Sequence, residues 1–238
     1  MLISIEGNIG TGKTTLMRFI KDTYKNISKV IFIEEPVDLW LKLKSDDGEN
    51  ILEKFYKKKE RWSYSFQMHA FITRSKELIN QSQDKVIIIE RSVLTDRNVF
   101  AKMLYETGCI SDIEWKLYDE WFNWLSGHFK SIMPDIYVYI RADTNTSYQR
   151  MLKRSRKEET TVDYDYINSV KLKHDDWLLN ESKIPVVTLD VNNDFVEDEL
   201  FRNNIIKSIS DIIDSQINNL PKSASEQSLE EMLSTMSC

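Results

Sequence analysis

The sequence predicts an α/β domain with a five-stranded parallel sheet and helices on both faces. Short apolar runs alternate along the chain with longer segments of helical periodicity, and the runs are almost continuously hydrophobic. Strands have this pattern when both of their faces are buried in a parallel sheet. The alternation indicates right-handed strand–helix–strand units, with ligands at the carboxyl ends of the strands.

The predicted strands are short and rich in β-branched or aromatic residues. They cover residues 2–6, 30–34, 85–90, 135–141 and 185–189. The segments between them have apolar residues at the spacing of an amphipathic helix. We expect helices over residues 13–25, about 50–81, 94–106, 111–130, 143–155, 162–181 and 196–217.

One domain, residues 1–218, accounts for all of these elements, and the sequence has no internal repeat or obvious linker. After Asn218 the composition becomes polar and Ser-rich, without a clear apolar stripe. We therefore expect residues 219–238 to form a mobile C-terminal tail, with a short helix over 227–235.

The composition argues against several classes of protein. The 238 residues are 41% hydrophobic and 11% aromatic, which is enough for a sizeable core. The formal charge of -6 gives no general attraction to a nucleic acid polymer or to an anionic membrane. Cys109 and Cys238 lie far apart, so neither a disulfide framework nor a zinc site is expected. No run of 18 apolar residues occurs and the chain begins in a strand-like run, so we expect a cytoplasmic protein.

A phosphate-binding loop lies between the first predicted strand and the first predicted helix. Residues 7–14 satisfy the pattern G-x-x-x-x-G-K-[ST], in which glycines let backbone amides point at phosphate oxygens. Lys13 would reach the outer phosphates, and the hydroxyl of Thr14 can bind Mg²⁺. The loop by itself predicts a bound nucleoside triphosphate and leaves the reaction open. The residues expected around its phosphates are Gly7, Asn8, Ile9, Gly10, Thr11, Gly12, Lys13, Thr14 and Thr15.

Charged residues follow the second and third strands. Glu34 and Glu35 end the second strand, where a carboxylate could accept the proton of a hydroxyl that attacks phosphorus. Glu90 ends the third strand at the place of a Mg²⁺-linked carboxylate, and Arg91 could contact the phosphates. The alternatives are a solvated strand end for the glutamates and a surface ion pair for Glu90 and Arg91.

Two further groups of polar residues suggest binding roles. Arg150, Arg154 and Arg156 end a predicted helix, where they could form a lid that neutralises a transferring phosphoryl group or simply a solvated basic helix end. Gln67 and Arg74 interrupt an apolar helical stripe. Buried polar groups need partners, and a planar base could supply them, with Asp96 nearby. The alternative is that Arg74 and Asp96 pair with each other or face water.

Five motifs in order resemble the deoxycytidine/deoxyguanosine kinase family. They are residues 5–14, 34–40, 60–67, 90–97 and 189–195, and the resemblance covers about residues 1–215. It implies a three-layer P-loop kinase fold with an Arg-rich lid over about residues 150–161. It also implies ATP as phosphate donor, Mg²⁺, a deoxyribonucleoside acceptor and a homodimer, for which Trp115, Trp121 and Trp124 could form a face.

The resemblance also implies roles for single residues. Glu35 would accept the 5′-hydroxyl proton, Arg91 and Lys13 would act on the phosphates, and Thr14 and Glu90 would hold Mg²⁺. Arg150, Arg154 and Arg156 match the lid arginines, and Asp194 and Phe195 match the loop over the donor base. Tyr56 and Glu159 would bind the sugar 3′-hydroxyl, and Gln67 the base edge. The residues expected around the nucleoside are Glu35, Trp40, Leu52, Tyr56, Phe66, Gln67, Arg74, Arg91, Asp96, Phe100 and Glu159.

Base preference and rival functions depend on the same residues. Family members that prefer thymidine have small or apolar residues in place of Arg74 and Asp96, so deoxycytidine, deoxyadenosine or deoxyguanosine is expected here. The nearest rival is a nucleoside monophosphate kinase of the thymidylate kinase type, but Glu35 would repel the phosphate of such an acceptor. A non-catalytic P-loop module is a second rival, which gives no reason for Glu35, Tyr56 and Gln67 together.

Overall fold

The computed structural model describes residues 1–82 and 84–220. Within these residues the sheet consists of β1 (Leu2–Glu6), β2 (Val30–Ile33), β3 (Val86–Glu90), β4 (Ile136–Arg141) and β5 (Val186–Asp190). All neighbouring strands pair in parallel, in the order β2-β3-β1-β4-β5. The predicted five-stranded parallel sheet is confirmed.

Helices cover both faces of this sheet. Their bounds are α1 (Lys13–Tyr24), α2 (Val37–Lys42), α3 (Ile51–Lys57), α4 (Lys59–Ile79), α5 (Val93–Thr95), α6 (Lys102–Glu106), α7 (Asp112–His128), α8 (Thr144–Arg154), α9 (Tyr164–Asp175) and α10 (Glu199–Asn219). Shorter turns of other helix types adjoin them. These are the π-helical segments Asp96–Ala101 and Asp176–Glu181 and the 3₁₀ turns Lys130–Ile132 and Lys157–Glu159.

The core has a separate part on each side of the sheet. Successive strand residues face opposite sides, so Ile3 and Ile5 of β1 pack towards α1 and α10. Leu2 of the same strand packs with the cluster that contains α4 and α7. All five residues of β1 and of β3 are buried, which explains why most of them are apolar. The loop that follows β1 is therefore attached to a fully buried strand at the centre of the sheet.

The structure corrects several predicted helix boundaries. The helix expected over about 50–81 is interrupted at Lys58, whose φ of -143° lies outside the helical range. Asn50 begins the first part by accepting a 2.8 Å hydrogen bond from the backbone N–H of Glu53. The helix α2 was not predicted, because six residues are too few to establish a period.

Most of the predicted C-terminal tail lies beyond the residues that the structure describes. The helix α10 continues to Asn219, one residue into the segment predicted as a tail. Residues 221–238, which include the helix expected over 227–235, lie outside the described residues.

In residues 1–82 and 84–220, none of the helices has the length and hydrophobicity that a membrane span requires.

Candidate active site

The loop after β1 depends on glycine at two positions. Gly10 and Gly12 have φ values of +83° and +91°, in the left-handed region that side chains disfavour. A Cβ atom at Gly10 would overlap the carbonyl oxygen of Ser147, and one at Gly12 would lie 2.6 Å from Cζ of Phe195. The backbone conformation and the available space therefore both exclude larger residues at these positions.

Side chains inside the loop hold its shape. Asn8 accepts a hydrogen bond from the N–H of Ile9 at 2.8 Å and donates to the carbonyl of Ile167 at 2.9 Å. Thr11 donates to the carbonyl of Asn8 at 3.0 Å. The buried Nζ of Lys13 donates to the same carbonyl at 2.7 Å. Burial, and after it the charge of Arg91, lower the pKa of Lys13 to about 7, whereas anionic phosphates beside it would favour the charged form.

The side chains of Thr14 and Glu90 are in contact beside the phosphate loop. The Thr14 hydroxyl lies 2.9 Å from both carboxylate oxygens of Glu90. Burial and then the charge of Glu35 raise the pKa of Glu90. Among the described residues, no group of three or more His, Cys, Asp or Glu side chains could hold a metal ion. A hydroxyl and one carboxylate fit Mg²⁺, which commonly takes its remaining ligands from substrate phosphates and water.

The two glutamates at the end of β2 have different environments. Glu34 is half exposed and lies 3.5 Å from Lys21. The side chain of Glu35 is only 12% exposed, with Oε1 2.5 Å from Nη2 of Arg74 and 2.8 Å from Nη1 of Arg91. Burial opposes the ionisation of Glu35, but the charges of Arg91 and Arg74 outweigh it and hold the pKa of this carboxyl well below its usual range. Glu35 is therefore an ionised hydrogen-bond acceptor across the physiological pH range.

Arg74 connects two residues that lie far apart in the sequence, Glu35 and Asp96. Its Nε donates to Asp96 at 2.9 and 3.2 Å, while its Nη2 contacts Glu35. Arg74 and Asp96 thus pair with each other, as one alternative expected, but they do so in the cleft and not in water. Burial raises the pKa of Asp96 to about 7, although the charge of Arg74 opposes the shift.

An aromatic cleft adjoins this charged group. The ring of Phe66 contacts those of Trp40 and Phe55, with centroid distances of 5.2 and 4.7 Å, respectively. The indole N–H of Trp40 donates to Thr73 at 3.0 Å. Gln67 is buried, and its Oε1 has no hydrogen-bond partner in the described part of the chain. A buried acceptor without a partner suggests that a ligand completes the cleft.

The cleft brings together every residue predicted to surround the nucleoside. Its wall contains Glu35, Trp40, Leu52, Tyr56, Phe66, Gln67, Arg74, Arg91, Asp96, Phe100 and Glu159. Val37, Phe55 and Tyr166 also line it and were not predicted. Val37 lies within the motif 34–40, which could have indicated it. Tyr166 lies on α9, and no signal in the sequence joins it to the cleft.

Two of the predicted lid arginines are paired with one carboxylate. Glu159 accepts hydrogen bonds from Arg154 at 2.6 and 2.7 Å and from Arg156 at 3.3 Å. Arg150 instead donates to backbone carbonyls of residues 191–193, at 2.7 Å to the first of them. Arg150 therefore ties α8 to the loop that precedes Asp194.

A second cavity lies on the other side of the phosphate loop. It is lined by Gly10, Gly12, Lys13, Thr14, Thr15, Arg18, Glu90, Arg150, Lys153, Arg154, Arg156, Asp194, Phe195 and Val196. Arg18, Lys153 and Val196 were not predicted. The two cavities share Gly10, Lys13, Glu90, Arg154 and Arg156, so a donor in one and an acceptor in the other would meet at these residues. This arrangement suits group transfer between two bound molecules.

Known proteins resemble this chain over most of its length. A 38% identity over 218 residues relates it to the probable deoxycytidine kinase of Fowlpox virus (strain NVSL), covering 89% of this chain and 87% of that protein. Human deoxycytidine kinase is 33% identical over 222 residues, with 81% and 84% covered, respectively. The mitochondrial deoxyguanosine kinase of Xenopus laevis is 33% identical over 220 residues, with 81% and 82% covered. The deoxynucleoside kinase family model matches residues 3–214, and the chain therefore belongs to the deoxynucleoside kinase family.

Proposed function

We propose that this deoxynucleoside kinase transfers the γ-phosphoryl group of ATP to the 5′-hydroxyl of deoxycytidine, deoxyadenosine or deoxyguanosine, in preference to thymidine. The observation that carries the proposal is the contact of Arg74 with both Glu35 and Asp96 in one buried cleft. The contact links a proton acceptor to a base-binding group. A P-loop module without an acceptor has no need of that link.

The transfer would proceed at the boundary between the two cavities. The 5′-oxygen forms a bond to the γ-phosphorus, the bond between that phosphorus and the β–γ bridging oxygen breaks, and ADP leaves. The 5′-hydroxyl proton passes to Glu35. The low basicity of Glu35 is compatible with this role, because a loose transition state needs little proton removal before the new bond forms. Arg91 and Lys13 stabilise the charge of the phosphoryl oxygens.

Mg²⁺ would be held by Thr14 and Glu90, whose oxygens meet beside the phosphate loop. When bound, the ion supplies neutralising charge to the phosphates of the donor. The lid arginines add to this neutralisation. Because Arg154 and Arg156 share Glu159, each of them can turn towards phosphate without leaving an unpaired charge behind.

Base selection would rest on Gln67, Arg74 and Asp96. The unpartnered Oε1 of Gln67 accepts from a donor on the base edge, and Asp96 accepts from an exocyclic amino group. Cytosine, adenine and guanine each carry an exocyclic amino group, whereas thymine carries only carbonyl oxygens and a methyl group on its ring. Two acceptors would then face each other without water, which costs about 1–3 kcal/mol for an unsatisfied buried group. Thymidine should therefore be a poor acceptor.

A homodimer is the proposed assembly. The outer face of α7 exposes large apolar side chains at helical spacing, which are Ile113, Leu117, Trp121 and Trp124. Contiguous apolar patches that include tryptophan are typical of protein interfaces. Trp115 instead stacks on Tyr105 and Tyr118, with centroids 5.1 and 5.9 Å away. Sedimentation equilibrium should give twice the mass of the chain, and a monomer at micromolar concentration would contradict the proposal.

The proposed location is cytoplasmic, where two cysteines that lie far apart in the sequence would stay reduced. The function itself is tested with radiolabelled ATP and a panel of deoxyribonucleosides, ribonucleosides and deoxynucleoside monophosphates. Label should appear on deoxycytidine and the two deoxypurine nucleosides at much higher rates than on thymidine. Label on monophosphates alone would favour the thymidylate kinase type of activity instead.

A further inference from the structure

Glu6 is a fully buried carboxylate at the end of the central strand β1. Its Oε1 accepts hydrogen bonds from the hydroxyl of Ser4 at 2.7 Å, and from the N–H and hydroxyl of Ser92 at 3.0 and 2.8 Å. Its Oε2 accepts from the hydroxyl of Thr95. Three of these four contacts therefore reach the short segment 92–95 that follows β3.

That segment immediately follows Arg91, whose backbone conformation is unfavourable. The φ of Arg91 is +62°, in the left-handed region that residues with a Cβ avoid. Such a conformation persists only where the surrounding structure determines it. Two backbone hydrogen bonds do so here. The N–H of Arg91 donates to the carbonyl of Ile5 at 3.1 Å, and the next N–H, of Ser92, donates to Glu6.

The conformation of Arg91 decides where its guanidinium lies. From this backbone the side chain reaches Glu35 at 2.8 Å and the carbonyl of Gly7 at 3.3 Å. Gly7 is the residue after Glu6, so the phosphate loop and the turn that carries Arg91 are joined at one place. A side chain that must meet a transferring phosphoryl group tolerates little displacement.

We infer that Glu6 is a positioning residue for phosphoryl transfer, which holds Arg91 in its left-handed conformation through Ser92 and Thr95. This inference rests on the proposed function, and Glu6 lines neither the acceptor cavity nor the donor cavity. The competing explanation is that Glu6 only satisfies buried hydroxyl groups and contributes to stability. The two differ in whether a change at Glu6 acts on kcat through Arg91.

The first experiment is a double-mutant cycle on kcat with purified, folded protein. Glu6→Gln keeps the volume but replaces one acceptor oxygen by a donor, and kcat should fall about tenfold, with KM for deoxycytidine within about twofold. In an Arg91→Ala background the same change should have no further effect on kcat. If the kcat losses of Glu6→Gln and Arg91→Ala multiply in the double variant, the inference is overturned.

Thr95 provides a milder change should Glu6→Gln not fold. Thr95→Val removes the hydroxyl and should lower kcat in the same way, whereas Thr95→Ser keeps the hydroxyl and should restore it. Asp175→Asn is the matched control, because Asp175 also accepts hydrogen bonds in a network, from Tyr139 and Arg141 at 2.8 Å each. It should lower the unfolding midpoint but leave kcat unchanged. An equal kcat loss in Asp175→Asn would overturn the inference.

A crystal structure of Glu6→Gln separates this inference from the proposed function. A φ of Arg91 outside the left-handed region supports the positioning role even if the wild-type protein phosphorylates no nucleoside. A φ that stays near +62° overturns the role, whatever the wild-type activity. Wild-type protein without nucleoside kinase activity would remove the proposed function alone.

Discussion

Replacement of Glu35 by glutamine should abolish most turnover while leaving ATP binding nearly intact. The amide cannot accept the 5′-hydroxyl proton, and it removes the negative charge that lies 2.5 Å from Arg74 and 2.8 Å from Arg91. General-base catalysis contributes about 100-fold to 10 000-fold. The corresponding increase in the activation free energy is about 3–5 kcal/mol.

The assay is steady-state phosphorylation of deoxycytidine, together with calorimetric titration of ATP. The dissociation constant of ATP should change by less than about threefold, because Glu35 lines the acceptor cavity. Glu34→Gln is the control, since it makes the same chemical change at the adjacent, half-exposed residue. A Glu35→Gln variant with a kcat near that of Glu34→Gln would refute the role of Glu35 as proton acceptor.

Three further predictions follow from other parts of the structure. Asp96→Ala should lower kcat/KM for deoxycytidine by about 10- to 100-fold and should lower kcat/KM for thymidine much less. Equal losses for the two nucleosides in steady-state assays would contradict base selection by Asp96. Burial lowers the pKa of His174 to about 3. The neutral imidazole therefore stabilises the fold fully above the unfolded pKa of about 6.5, and this stabilisation is lost as the pH falls from 6.5 towards 3. Between pH 7.5 and 5.5 the wild-type free energy of unfolding, measured in urea, should fall by about 1.4 kcal/mol more than that of His174→Phe, and parallel curves would contradict this. Gly12→Ala should destabilise the fold by more than Gly48→Ala. Both glycines have a positive φ, but only at Gly12 would the added Cβ lie 2.6 Å from the ring of Phe195. Equal urea midpoints of the two variants would exclude this clash.

The sheet and the phosphate loop were predictable from the sequence for a physical reason. The strands β1 and β3 are buried on both faces, so their residues are mostly apolar, with Ser4, Glu6 and Glu90 as the exceptions. Parallel strands also place their carboxyl ends at one edge, which brought Glu35, Glu90 and Arg91 together in the prediction. These inferences need only chain order and burial.

Contacts between distant elements were less predictable. Arg74 lies on α4, Glu35 follows β2, and Asp96 begins a π-helical segment. No spacing in the sequence reveals that one guanidinium group pairs with both carboxylates. The π-helical segment Asp96–Ala101 changes the angular positions of its side chains relative to an α-helix, which a 3.6-residue period does not reveal. Tyr166 reaches the cleft through tertiary packing alone.

The same limit applies to polar residues inside motifs. Asn8 belongs to the phosphate-loop pattern and was expected at the phosphates, but its side chain fastens the loop to Ile167. Glu6 directly precedes that pattern, and its sequence position gives no indication of its contacts with Ser92 and Thr95. Patterns identify which backbone binds phosphate, whereas the supporting hydrogen bonds depend on the fold.

The most direct test of the central claim is the identity of the phosphorylated product. Wild-type protein, ATP and Mg²⁺ are incubated with deoxycytidine and with thymidine, and phosphorus NMR locates the new phosphate ester. The proposed function predicts the 5′-monophosphate of deoxycytidine, formed much faster than that of thymidine. Free phosphate without an ester, or phosphorylation that requires a nucleoside monophosphate as acceptor, would contradict it.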